Sequence, residues 1–110
     1  MKFRDIIYED VISEEQIKEG GFLLQVSPHF WERMEEKHVN PTVVRTMLRR
    51  LPRIRRQIET IETHTQFNVY DSVTHTHIGM MRSETPGKLL VNTTYVNARY
   101  TGLNPVLKVR

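Results

Sequence analysis

The feature that most constrains this fold is a change of period at Pro52. Upstream of it stand two helix-start signals, Ser27-Pro28 and Asn40-Pro41. Each pairs an N-cap side chain with a first-turn proline, whose missing N–H costs nothing at a helix start. The first predicts a helix that turns Phe30, Trp31 and Met34 inward and ends near His38. The second predicts a helix lined by Val43, Val44, Met47, Leu48 and Leu51 and closed by Pro52. Beyond Pro52 β-branched residues dominate, and Asp71-Ser72 and Thr85-Pro86-Gly87 supply turn chemistry. Strands are expected at 53–61, 65–71, 75–82, 87–96 and 105–109, with a buried one over Phe22–Val26. Ahead of that strand, Phe3, Ile6, Ile7, Val11 and Ile12 come close to a helical spacing. Ser13-Glu14-Glu15-Gln16 reads as a capping box and Gly20-Gly21 as a stop, so a short helix is expected between them. Helices first and a strand meander afterwards give the α+β class: two or three N-terminal helices packed on an antiparallel β-sheet.

No internal repeat, low-complexity tract or long linker divides the chain, and 110 residues is a common single-domain length. Residues 1–110 therefore read as one domain, with 1–21 an acidic N-terminal segment. The absence of cysteine excludes disulfide scaffolds, thiolate metal sites and a cysteine nucleophile. With no apolar run near the ~20 residues of a membrane helix and no signal-peptide core, a soluble cytoplasmic protein is the expectation.

Charge is unevenly placed. Residues 1–26 carry three basic and six acidic side chains, whereas 27–110 carry thirteen basic and seven acidic. The basic charge concentrates at Arg45, Arg49, Arg50, Arg53, Arg55 and Arg56. Guanidinium pairs bidentately with phosphate, so the run points to RNA or another polyanion; the plain alternative is a solvated basic face. Tyr70, Tyr95 and Tyr100 suit base stacking, although strand tyrosines also serve packing.

On the helix opened by Ser27, His29 and Arg33 are four apart and share a face, with Lys37 beyond. An imidazole beside a guanidinium is held toward its neutral, base-competent form, and the arginine can stabilise charge on phosphorus. The alternative is a polar residue near a helix start, with Arg33 paired to a glutamate. His75 and His77, two apart on an expected strand, face one side of the sheet. They are candidates for a second acid or base, for a metal pair with His64 as third ligand, or for a solvent-facing pair without a role. No metal is expected, because no carboxylate accompanies the pair. His38 is expected simply to end its helix.

Ser27-Pro28-His29-Phe30-Trp31-Glu32-Arg33-Met34-Glu35-Glu36-Lys37 forms the pattern S-x-H-x-x-[DE]-R-x-x-x-[RK]. The pattern resembles the opening of phage endoribonucleases of the RegB type and of small RelE-like and BrnT-like toxins. The likeness runs on through Val43 and Leu51 to Leu90-Val91, Tyr95-Val96-Asn97-Ala98-Arg99 and Val106-Leu107-Lys108-Val109. The resemblance implies a RelE-like fold and cofactor-free, metal-independent cleavage of single-stranded messenger RNA through a 2′,3′-cyclic phosphate. It implies a catalytic proton transfer by His29, with Arg33, Arg49 and Arg99 clamping the phosphate, Arg99 falling on a basic residue of the late strand. It departs at Arg49, which stands where a second functional histidine is expected; a guanidinium is a poor proton donor or acceptor. Catalysis then needs another group, or the chain is a weakened RNA- or protein-binding regulatory module, such as a phage protein acting on a host factor. Expected partners are single-stranded RNA and, further out, the ribosome, a host activating protein or an antitoxin.

Overall fold

The structure, a computed structural model, describes residues 15–99 and 102–110. The helical reading of residues 3–12 and the stacking role of Tyr100 lie outside the described residues.

The chain runs β1 (Glu15–Glu19), β2 (Phe22–Val26), α1 (Pro28–Glu36) and α2 (Pro41–Arg49). A 3₁₀ turn (Leu51–Ile54) and the short α3 (Arg55–Glu59) follow, then β3 (Gln66–Asp71), β4 (Thr76–Arg82), β5 (Lys88–Val96) and β6 (Val106–Lys108). The class is α+β, and the described residues form three helices and a six-stranded sheet ordered β1-β2-β5-β4-β3-β6.

The sheet is mixed rather than antiparallel. The meander β3-β4-β5 is antiparallel, but β2 lies parallel to β5 and β6 parallel to β3. The cause is connectivity: the whole helical stretch is a crossover from β2 to β3, which carries the chain back to the same end of the sheet before it re-enters.

Both proline-marked helices form as the caps demand. Ser27 Oγ accepts the His29 amide at 3.1 Å, and Asn40 Oδ1 accepts the Thr42 amide at 2.8 Å. Helix α1 ends in a Schellman motif: the amide of Val39 donates to Met34 O and that of His38 to Glu35 O. His38 occupies the left-handed position, at φ 54°. Phe30 is buried and Met34 half-buried, but Trp31 is 39% exposed, so the expected inward tryptophan lies on the rim instead.

Two expectations fail for identifiable reasons. The segment ending at Gly20 is a strand, not a helix: Glu19 pairs with Phe22 across Gly20-Gly21, whose φ values of 58° and 81° make the two-residue turn of a hairpin. Gly20 has a second constraint, because a Cβ there would collide with Leu48 O. The segment 53–61 is helical, not extended: Leu51, Ile54, Ile58 and Ile61 recur at helical intervals, and all four are buried.

All three helices cover one face of the sheet. That face supplies Phe67, Val69, Ile78, Met80, Leu89 and Val91 to the core, against Phe30, Val44, Met47, Leu51 and Ile58. Asp71, also on that side and 1% exposed, is held by a two-pronged ion pair with Arg110 at 3.1 and 3.0 Å. Its burial opposes ionisation, but the Arg110 guanidinium and the Val73 and Thr74 amides outweigh that and keep its carboxyl below the usual range. Among the described residues, no helix is long and apolar enough to cross a membrane.

Candidate functional site

The residues singled out from the sequence fall into three separate places. The first is the start of α1. His29 and Glu32 project into solvent, with side chains 74% and 71% exposed, and His29 Nδ1 lies 3.2 Å from Glu32 Oε1. With Nδ1–H donating to the carboxylate, Nε2 is left as a free lone pair, the arrangement that suits a base. Arg33 is exposed one turn on, and it makes no ion pair among the described residues. No hydrogen bond or ion pair among them joins His29 to Arg33, Arg49 or Arg99. Glu32 is the residue that motif spacing overlooked as a partner, although an i,i+3 pair was open to that reading.

The second place is the arginine-rich segment from α2 to α3. Its six arginines are not equivalent. Arg49 Nε lies 3.8 Å from Glu19 Oε1 on β1. Arg55 donates to Gly21 O at 2.9 Å, lies 3.7 Å from Glu59 and covers the Phe22 ring at 4.4 Å. Arg50 turns inward, and its Nη1 is buried without a hydrogen-bond partner among the described residues. Arg45, Arg53 and Arg56 remain exposed and, among the described residues, without an ion pair. Of the six, three arginines are thus exposed and free of ion pairs among the described residues.

The third place is the face of the sheet that no helix among the described residues covers, at the end where β4 begins and β5 finishes. His77 lies between two tyrosines, with ring centroids 4.5 Å from Tyr70 and 4.9 Å from Tyr95, the latter nearly parallel at 10°. Its Nδ1 is 3.2 Å from Asn68 Nδ2, and its Nε2 is 3.0 Å from Asn97 O. The carbonyl can only accept, so Nε2 carries the proton and Nδ1 accepts from the Asn68 amide. Both ring nitrogens are thereby committed in the neutral form. Burial lowers the His77 pKa further, partly offset by the Asn97 carbonyl and reinforced by neighbouring His75. At 1% exposure, His77 is an architectural histidine rather than a proton carrier.

His75 differs. It precedes β4 instead of lying in it, in a left-handed conformation (φ 60°) at the end of a turn whose Val73 and Thr74 amides bond Asp71 Oδ1. It is exposed, and its Nδ1 is 2.7 Å from the Tyr70 hydroxyl. Of the two strand histidines considered for acid–base work, only His75 meets solvent. His64 sits at the far end of β4, where its amide donates to Arg82 O, and lies 3.7 Å from Glu84. The three histidines do not converge. Arg99 is exposed just beyond β5, its amide bonded to Asn97 Oδ1.

Beside Tyr95 the same face hollows into a cleft of about 320 Å³ lined by Gln66, Asn68, Gly79, Asn92, Thr93 and Asn104, among others. A β-bulge makes it: the register of β4 on β5 slips between Gly79 and Met80, so that Val91 and Thr93 find partners and Asn92 is the extra residue. Gly79 is required at its floor, since a Cβ there would stand 2.8 Å from Thr93 Cγ2. Of this group the sequence reading contained only Tyr95. Alternation along 66–71 could have placed Gln66, Asn68 and Tyr70 on one face, but the bulge leaves no mark in composition.

No family model, curated protein or solved structure matches the chain.

Proposed function

We propose that the protein is an endoribonuclease of single-stranded RNA, built on a RelE-like arrangement of helices over one face of a sheet. The observation that carries the reading is the solvent-facing His29–Glu32 pair at the start of α1, inside the pattern that resembles RegB-type enzymes. Nε2 of His29 takes the proton of a ribose 2′-hydroxyl, and the freed oxygen attacks the adjacent phosphorus. The bond to the leaving 5′-oxygen breaks as that oxygen gains a proton, leaving a 2′,3′-cyclic phosphate. Arg33, one turn along and unpaired among the described residues, is placed to hold the phosphate. Arg49, drawn toward Glu19, is less available for that work than the sequence position suggests. A second reading, an RNA-binding regulatory module with weakened chemistry, is favoured by that same arginine standing in place of a histidine.

Incubation of the purified protein with mixed RNA in EDTA, followed by end-group analysis, decides between them. Cyclic phosphate ends that fall by at least about 100-fold in His29→Ala, and by about tenfold in Glu32→Gln, are the expected result. RNA that is bound but never cut by the wild type would replace the nuclease with the binding module.

A further inference from the structure

We infer that the cleft beside Tyr95 is a nucleobase-reading subsite, in which one unstacked base of the RNA is recognised by side-chain amides. The inference rests on the RNA reading above and adds to it a specificity site away from His29.

Asn68 carries the argument. It is 4% exposed, and both hydrogens of its amide are spent, on His77 Nδ1 at 3.2 Å and on Tyr95 Oη at 2.7 Å. Its Oδ1 accepts no hydrogen bond among the described residues, and it lies 3.9 Å from where a Cβ on Gly79, at the cleft floor, would stand. The oxygen is not sealed off, so water meets it in the cleft, and a ligand N–H or NH₂ can take that water's place. The His77 ring fixes the orientation: its neutral Nδ1 demands the amide nitrogen, so the oxygen must face the cleft. Asn92, Asn104 and Gln66 line the same space and offer both donors and acceptors. About 320 Å³ is about ten waters' share of liquid volume, which suits one heterocycle and its solvation.

The charge of the sheet face that holds the cleft favours a base on a phosphate chain. Pairing registers place Lys18 and Lys88 beside Leu23 and Lys108 beside Tyr70, all on this uncovered face. The strand acids Glu19 and Asp71 stand with Phe22 and Thr76 on the covered side. The start of α1 meets the same strand: the Ser27 amide donates to Val91 O at 2.9 Å, one residue before Asn92. A base seated against Asn92 thus lies next to the strand residue that holds the start of the helix carrying His29.

The test uses the full chain and four DNA hexamers that share one sequence but carry a single central A, C, G or U ribonucleotide with its 2′-hydroxyl methylated to block cleavage. One base is expected to bind at least about tenfold tighter than the weakest. Asn92→Ala and Asn104→Ala, each checked for an unchanged circular dichroism spectrum, should reduce that preference about fivefold or more. Equal affinity for all four bases, or undiminished selectivity in both folded variants, overturns the inference. A nucleoside 5′-monophosphate that binds as tightly as its hexamer would assign the cleft to free nucleotides and equally overturn it. Cleavage assayed in parallel separates the two readings. Cutting without base selectivity removes the subsite alone, whereas base-selective binding that depends on Asn92 without any cutting keeps the subsite and removes the nuclease.

Discussion

The two ends of the sheet spend their polar side chains in opposite ways. At the end where β4 finishes, the arginine-rich segment packs by its apolar residues, and apart from Arg50 and Arg55 its charges are left to solvent or to long contacts such as Arg49–Glu19 at 3.8 Å. At the end where β4 begins, about 20 Å along the strand, polar groups are buried and mutually committed. Asn68, His77, Tyr95 and Asn97 form one hydrogen-bonded set, and the Thr94 hydroxyl closes on His77 O at 2.7 Å. The first region is adaptable and sensitive to salt, because each exposed cation acts singly. The second is sensitive to pH, because both ring nitrogens of His77 are matched in its neutral form alone.

The largest difference should come from breaking the network. His77→Phe keeps a planar ring between Tyr70 and Tyr95 but strands the Asn68 amide and the Asn97 carbonyl, and should cost about 2 kcal/mol at pH 8. The pH dependence has a definite sign. The folded pKa of His77 lies below its ordinary value, so on acidification the unfolded chain takes up a proton that the folded chain refuses. The stability that His77 contributes is complete above about pH 6.5 and declines as the pH falls below it toward the folded pKa. Denaturant unfolding at pH 8 and 5.5 should therefore show the gap between wild type and His77→Phe narrowing in acid. A gap that widens would mean that His77 is charged in the fold.

A smaller effect, on binding instead of folding, is expected at the other end. Replacing Arg45, Arg53 and Arg56 together by Ala should leave unfolding nearly unchanged, within about 0.5 kcal/mol per site. The slope of log affinity for single-stranded RNA against log salt should fall by about 2, from three cations at about 0.7 each. An unchanged slope would move the phosphate track to the uncovered sheet face and its lysines.

Much of the fold was legible because local signals and burial agree. Ser27-Pro28 and Asn40-Pro41 became caps, and the meander from Gln66 to Val96 followed its turn residues. The failures share a cause: a local pattern was outvoted by a contact further along the chain. The helix expected to end at Gly20 lost to a Gly-Gly hairpin that pairs Glu19 with Phe22, and arginines at 53–56 masked an apolar row that needs α2 and the sheet beside it. The candidate site was only partly legible. His29 and Glu32 are neighbours on one helix and visible from spacing. Asn68 reaches Tyr95 across three strands, and the cleft depends on a bulge that no residue type announces.

The smallest effect isolates what the left-handed histidines do. His64 and His75 have φ values of 68° and 60°, one at each end of β4. A Cβ in that region costs about 1 kcal/mol relative to glycine, so replacing either by Gly relieves strain, less the entropy that glycine adds to the unfolded chain. At His64 the side chain offers only an exposed 3.7 Å contact with Glu84 in return, so His64→Gly should raise stability by about 0.5 kcal/mol. At His75 the same relief is set against a 2.7 Å bond to the Tyr70 hydroxyl and a ring stacked at 6.3 Å, and the net change should be near zero or slightly negative. The quantity to measure is the difference between the two variants, about 0.5–1 kcal/mol by denaturant unfolding under one set of conditions. If both substitutions stabilise equally, the Tyr70–His75 bond adds nothing to the fold, and His75 belongs with the adaptable surface rather than with the committed network beside it.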